Sequence, residues 1–269
     1  MKKIGINLFL AGILLAFGAC KGEFEKIRAS GDFMTQYSEA LKYYEKGDYL
    51  KASTLLELVI PQLRGKKEAE DVYYKYAYCH YYLGKYILAT HYFQNFAATF
   101  PNSPFREEVD YMAAYCNYEL SPSFRLDQKY TNEAIEAFQI FINTYPQSER
   151  VKECNRLIDE LRNKQETKSY AEGQLYYDLK QYQSAIQSFD NLLKDYPETA
   201  NAETVRYMIL KSSWLLAENS VYEKREERYN TVVTRCNEFL VKYPKSKYKK
   251  EISTYKKEAN KKLKALSNV

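Results

Sequence analysis

The segment "YLGKYILATHYFQNFAATFPNS", Tyr82 to Ser103, places Gly84, Tyr86, Ala89, Phe93, Phe96 and Pro101 in a fixed order. A turn glycine is followed by an aromatic, a small residue, two large apolar residues at helical spacing and a terminating proline. This order predicts one helix held between a glycine turn and a proline stop. Just upstream, "AYCHYYLG" (residues 77–84) ends a first helix on which Tyr73 and Ala77 supply a large and a small packing residue. Small residues let two antiparallel helices approach, and large ones fill the space between successive pairs.

The same punctuation returns along the chain. "EKGDYLKASTLLELVIPQ" carries Gly47, Tyr49, Ala52, Leu56 and Val59, and "TNEAIEAFQIFINTYPQS" carries Ala134, Phe138, Phe141 and Pro146. "LKQYQSAIQSFDNLLKDYPET" gives Tyr182, Ala185, Phe189, Leu192 and Pro197, after Gly173 and Tyr176 on its first helix. A weaker fifth copy ends in Cys236, Phe239 and Pro244. With a period of about 34 residues, these are tetratricopeptide repeats. The fold expected is an all-α tetratricopeptide-repeat solenoid of about five helix pairs.

Two interruptions punctuate the array. Cys79 to Ala89 is 10 residues, whereas Cys116 to Ala134 is 18, so the third repeat carries an eight-residue insertion around "SPSFRLDQ". Between Pro146 and Gly173, Val151, Cys154, Leu157, Ile158 and Leu161 form an apolar stripe that predicts one long helix linking repeats one to three with repeats four and five. Residues 33–147 are therefore read as the first three repeats. Residues 148–269 are read as the long helix, repeats four and five and a C-terminal capping helix.

Composition agrees. The chain has 269 residues, 45% hydrophobic and 28% charged, with only 9 Gly and 7 Pro against 28 Tyr, which suits helices joined by short turns. Its first nineteen residues form a separate object: "MKK" is a positive start, "IGINLFLAGILLAF" an apolar core too short to span a bilayer, and "GA" a small-residue cleavage site before Cys20. Residues 1–19 are read as a lipoprotein signal peptide and 20–32 as a tether acylated on Cys20, since "FGAC" resembles a bacterial lipobox with Phe17 in place of the usual Leu. Several acyl chains on one residue hold a protein on a membrane without a spanning helix.

Removing residues 1–19 leaves 38 basic and 35 acidic side chains, a net charge of +3 that gives no argument for nucleic acid. Cys79, Cys116, Cys154 and Cys236 lie far apart inside apolar helical patterns and read as core thiols; a disulfide is left open. No Gly-rich phosphate loop, nucleophile elbow or metal-binding histidine pair occurs, and His80 and His91 fall on different helices. The expectation is a protein with no catalytic role, no metal and no cofactor.

Tyrosines recur at i, i+4 and i+7: Tyr74, Tyr78 and Tyr81, then Tyr111, Tyr115 and Tyr118, with Tyr37, Leu41 and Tyr44 in the corresponding places of repeat one. The first helix of each repeat lines the groove of such a solenoid, so these nine residues are the candidate peptide-binding groove. For each tyrosine alone, packing between helices is the alternative. Tyrosine suits a groove because it offers apolar area and a hydroxyl at low entropic cost. The carboxylate clamp of chaperone-tail binders is not expected, since Lys and Asn are mostly absent from these positions.

The lipobox cysteine, five repeats, a widened third repeat and a long helix before the fourth together resemble the BamD family, also called ComL or YfiO, over essentially the whole chain. The most distinctive part is "DQKYTNEAIEAFQIFINTYPQS", with Asp127 and Gln128 in the loop and Tyr145-Pro146 at the end. The resemblance implies an outer-membrane lipoprotein on the periplasmic side. It further implies docking on the POTRA domains of a BamA-like barrel subunit and receipt of unfolded outer-membrane proteins. Another lipid-anchored repeat scaffold, serving cell-wall or envelope enzymes, is the alternative reading.

The carboxyl end, residues 245–266, holds nine Lys and two Glu, so a net +7 is concentrated there. Tyr248, Ile252, Tyr255, Ala259, Leu263 and Leu266 form an amphipathic stripe that predicts a helix covering the open end of repeat five. The resemblance implies that the C-terminal repeats meet the POTRA domains, which makes Lys249, Lys250, Lys256 and Lys257 candidate partner-docking residues; the alternative is a solvated face.

Overall fold

The computed structural model describes residues 22–267, and all their regular structure is helical. In chain order the α-helices are α1 (Glu23–Ala29), α2 (Phe33–Glu45), α3 (Tyr49–Val59), α4 (Ala69–Tyr82), α5 (Tyr86–Thr99), α6 (Arg106–Leu120) and α7 (Lys129–Thr144). They continue with α8 (Val151–Asp178), α9 (Tyr182–Asp195), α10 (Ala202–Glu218), α11 (Tyr222–Lys242) and α12 (Lys249–Leu266). A 3-10 turn, Ile60–Leu63, follows α3 around Pro61. The protein is all-α, built of tetratricopeptide-type helix pairs.

The residues at the helix ends explain the boundaries. Asp32 and Asp48 cap α2 and α3, their carboxylates accepting from the N–H of Thr35 and Lys51. The turns inside the first two pairs pass through Gly47 (φ 77°) and Gly84 (φ 68°), left-handed positions that suit glycine; in the fourth pair Lys180 takes this conformation at φ 61°. Four helices end identically. Phe100, Tyr145, Tyr196 and Tyr243 have φ between −123° and −127° and donate their N–H to the carbonyl four residues back, because the following proline drives each of them out of the helical region.

Two residues beyond each of these prolines lies a hydroxyl: Ser103, Ser148, Thr199 or Ser246. Each accepts the N–H two positions on, at 3.0–3.2 Å, which turns the chain into the next helix. Three of them also donate to a glutamate on the preceding repeat: Ser103 to Glu70 at 2.5 Å, Ser148 to Glu107 at 2.6 Å and Thr199 to Glu166 at 2.5 Å. One short loop thus starts its own helix and ties it to the repeat before.

Two compact units divide inside α8 rather than at its start. The first runs to Pro122 and includes Gln128–Ile158; the second comprises Ser123–Asp127 and the chain from Asp159. In the first, α2 to α7 pack each on the next, around Ala52, Leu55, Leu56, Val72 and Cys79 in the leading pairs and Phe93, Phe96, Phe138 and Phe141 further on. In the second, Phe189, Leu192, Leu210, Val232, Phe239 and Ile252 form the centre of one core. Residues 123–127 are the tip of the predicted insertion, and Lys168 donates to the Leu126 carbonyl at 2.6 Å.

The predicted stripes fall on buried faces. Cys154, Leu157, Ile158 and Leu161 of α8 are buried, with Val151 half-buried. On α12, Ile252 and Ala259 are fully buried while Tyr248, Tyr255, Leu263 and Leu266 pack on the second core, so this helix covers α11 as a cap. α8 meets α9 at Gly173, where a Cβ would lie 2.6 Å from the ring of the fully buried Phe189.

Gly173→Ala gains about 1 kcal/mol of helix propensity but pushes on a ring with nowhere to go, an overpacking cost of about 1–3 kcal/mol. The expected outcome is a net loss of stability, measured as a lower urea midpoint at an unchanged m-value. A variant as stable as the parent would show that Phe189 repacks freely.

Candidate functional site

In the first unit the ladder tyrosines stand on α2, α4 and α6 and their rings join across the repeats. Tyr37 stacks on Phe33 at 5.9 Å between centroids, and Leu41 is half-buried on the same helix. Tyr44 meets Tyr49 at 5.6 Å, which stacks on Tyr82 at 4.4 Å, and Tyr82 lies 5.7 Å from Tyr78. Tyr78 touches Tyr74 at 4.7 Å and Tyr81 at 6.2 Å, and Tyr81 reaches Tyr115 at 6.4 Å. Tyr115 in turn lies 5.8 Å from Tyr111 and 5.5 Å from Tyr118. One run of ring contacts therefore joins Tyr44 of repeat one, through Tyr49 and Tyr82, to Tyr118 of repeat three, while Tyr37 pairs with Phe33 beside it.

The nine candidates are not equivalent. Tyr78 and Tyr111 are 7% and 8% exposed: Tyr78 packs edge-on to Phe93, and Tyr111 against Phe138 and Phe141. These two belong to the packing between helices and support the ladder from below. Tyr37, Leu41, Tyr44, Tyr74, Tyr81, Tyr115 and Tyr118 are half-buried, so each keeps part of its side chain in solvent.

Charged residues that sequence pattern did not single out complete the surface. Glu108 accepts the Tyr78 hydroxyl at 2.5 Å and pairs with Arg150, whose guanidinium lies 4.2 Å over the Tyr111 ring. Lys75, paired with Asp71, sits 5.7 Å over the Tyr44 ring. Phe105, just before α6, lies 4.6 Å from Tyr74 and widens the aromatic face. Burial raises the Tyr78 phenol well above its ordinary range, and the hydrogen bond to Glu108 adds to the effect, so it stays a neutral donor. Only the regular spacing of Pro-x-Ser and Pro-x-Thr loops marks where such cross-repeat carboxylates gather.

Elsewhere, the four cysteines among the described residues are free and buried, and burial pushes the thiols of Cys79, Cys116 and Cys236 up to about 12 and Cys154 to about 11. Such thiols are poor nucleophiles. His80 is buried between Tyr76 and Tyr92, and burial holds its pKa below the ordinary value. On α12, Lys249, Lys250 and Lys257 are exposed and Lys256 half-buried; Lys247, Lys249, Lys250 and Lys257 border one open, hydroxyl-lined hollow with Ser253 and Thr254. Cys20, the lipid-attachment candidate, lies outside the described residues, and among those described no helix is long and apolar enough to cross a membrane.

Solved structures similar to the chain include a tetratricopeptide repeat protein from Parabacteroides merdae, at 14% identity over 87% of this chain and 77% of that one, with a TM-score of 0.34. The TPR2AB domain of yeast Sti1 is similar at 11% identity over 85% and 98%, with a TM-score of 0.39. No curated protein matches the chain significantly. The family model described as YfiO, outer membrane lipoprotein, matches residues 30–220 and 171–268. With its repeats and its long linking helix inside that span, the chain belongs to the YfiO family of outer-membrane lipoproteins.

Proposed function

We propose that this outer-membrane lipoprotein is a lipid-anchored scaffold of β-barrel assembly, held by Cys20 on the periplasmic face. It docks on the POTRA domains of a BamA-like barrel subunit and receives unfolded outer-membrane proteins along the tyrosine ladder of its first unit. The observation that carries this reading is the continuity of that ladder across three repeats in a chain of this family. An unfolded barrel strand is extended, and its alternate side chains are aromatic or apolar near the membrane interface. Half-buried tyrosines can stack on such side chains, and their hydroxyls can bond the strand's free backbone groups.

Replacing Tyr74, Tyr81 and Tyr115 together with Ala is expected to weaken binding of barrel-protein strand peptides by about 2 kcal/mol, roughly thirtyfold, as loss of clustered aromatic anchors does. Their half-exposed rings predict near-parental helical circular dichroism. Undiminished peptide affinity in the folded variant would remove the ladder from the function.

Anchoring is tested at Cys20. The Cys20→Ala protein should lose palmitate labelling and leave the membrane fraction; a variant that still labels and sediments with outer membranes contradicts acylation at this residue. Docking is tested on α12, whose lysines stand out from a face that caps the second core. Reversing Lys249, Lys250 and Lys257 to Glu should slow association with the barrel subunit several-fold at low salt and much less at high salt, since exposed charge acts mainly on encounter. Association kinetics unchanged at every ionic strength would confine α12 to capping, and recovery of cell-wall synthases in place of a barrel subunit would favour the alternative scaffold.

A further inference from the structure

The i, i+4, i+7 register of the first ladder continues into the second unit, where its composition changes. Tyr170, Gln174 and Tyr177 occupy it on α8; Tyr207, Lys211 and Trp214 on α10; Tyr248, Ile252 and Tyr255 at the start of α12. Tyr170 precedes Tyr207 by 37 residues, the interval that also separates Tyr37, Tyr74 and Tyr111. The rings again meet across helices: Tyr207 stacks on Tyr248 at 3.8 Å with 7° between planes, and Trp214 on Tyr255 at 5.3 Å with 17°.

Polar groups converge on these rings. The Lys211 ammonium lies 5.6 Å from the centroids of both Tyr177 and Tyr207, so it is held between two phenol rings. Those two phenols, and no ion-paired carboxylate among the described residues, are its polar neighbours. Glu251 is already engaged, accepting Tyr207 at 3.0 Å and Tyr255 at 2.5 Å. Tyr177, Lys211, Trp214, Tyr248 and Tyr255 all remain half-buried, so the platform reaches solvent.

We propose that this face of the second unit is a separate binding site for an extended polypeptide segment that carries a carboxylate side chain beside an aromatic one. The aromatic residue stacks on the Trp214 and Tyr177 rings, and the carboxylate completes the charge of Lys211, which among the described residues is paired only with phenols. The rings come from three alternate helices, α8, α10 and α12, and an extended segment of about six residues, about 20 Å long, runs across them. The inference stands apart from the reading of the first unit, because every residue in it lies in the second.

Trp214 is the only tryptophan in the chain, so its selectively excited fluorescence reports on this platform and on no other. The probe is a synthetic peptide of about six residues, Thr-Tyr-Thr-Asp-Thr-Tyr capped at both ends, with the Asn peptide as its neutral twin. With the full protein, the Asp peptide is expected to change Trp214 emission saturably and to bind about tenfold tighter than the Asn peptide. Lys211→Met should abolish that preference, and Lys211→Arg should keep it. Equal affinity for the two peptides, an undiminished Asp preference in Lys211→Met, or no response of Trp214 to either peptide would overturn the proposal. An acidic peptide held by the α12 lysines instead would retain its preference in Lys211→Met and so counts against it.

Discussion

Buried small residues, twelve positions apart in sequence on the two helices of a pair, fix the geometry of the repeats. Ala40 and Ala52, Ala77 and Ala89, and Gly173 and Ala185 are such pairs, and Ala114 and Ala134 form the same pair with the eight-residue insertion between them. The alanines are all fully buried, and at Gly173 even one added carbon would collide with Phe189. Such positions set how far each helix is rotated about its axis, because a narrow stripe of small residues is the face along which a partner helix can approach most closely. Once that stripe is fixed, the residues three before, one after and four after the small residue of the first helix are placed together on another face. Those are Tyr74, Tyr78 and Tyr81 around Ala77, and Tyr111, Tyr115 and Tyr118 around Ala114. The ladder is a geometric consequence of the packing register.

The fifth pair departs from this rule in a compensated way. Counted from the prolines as in the third pair, thirteen residues after Pro197 and twelve before Pro244, its small positions hold Leu210 and Val232, and the position filled by Phe93, Phe138 and Phe189 in other repeats holds Cys236. All three are buried, so volume added at one level is removed at the next. That exchange is why the fifth copy reads weakly as a repeat while its helices α10 and α11 still pack as a pair.

Helix pairs, the insertion, the long linking helix and the cap could all be read from residue order, because glycine turns, proline stops and apolar periodicity are local signals. The ties between repeats could not. Ser103 reaches back 33 residues to Glu70 and Ser148 reaches back 41 to Glu107, and the difference follows the length of what lies between. Burial was equally hidden: Tyr78 and Tyr74 share one pattern, yet Tyr78 is enclosed by Phe93 and its neighbours while Tyr74 keeps a free edge. The second ladder escaped because Gln174, Lys211 and Ile252 break the run of tyrosines that made the first one conspicuous.

The abundance of tyrosine over phenylalanine has its own cause in the ties between helices. Tyr78 donates to Glu108, Tyr145 to Asp110, Tyr229 to Glu218 and Tyr207 and Tyr255 to Glu251, so aromatic bodies packed between helices end in hydroxyls that reach a carboxylate. A phenylalanine would fill the same space and leave those carboxylates without a donor. Burial followed by the neighbouring carboxylate raises each of these phenols, which keeps them protonated as donors. The middle rung of the ladder is where this economy differs between units: Tyr78 spends its hydroxyl on Glu108, whereas Lys211, in the same register, keeps a full positive charge between two rings. A rung satisfied from within can offer a partner only its ring, and a rung holding an ammonium without a carboxylate can select one by charge.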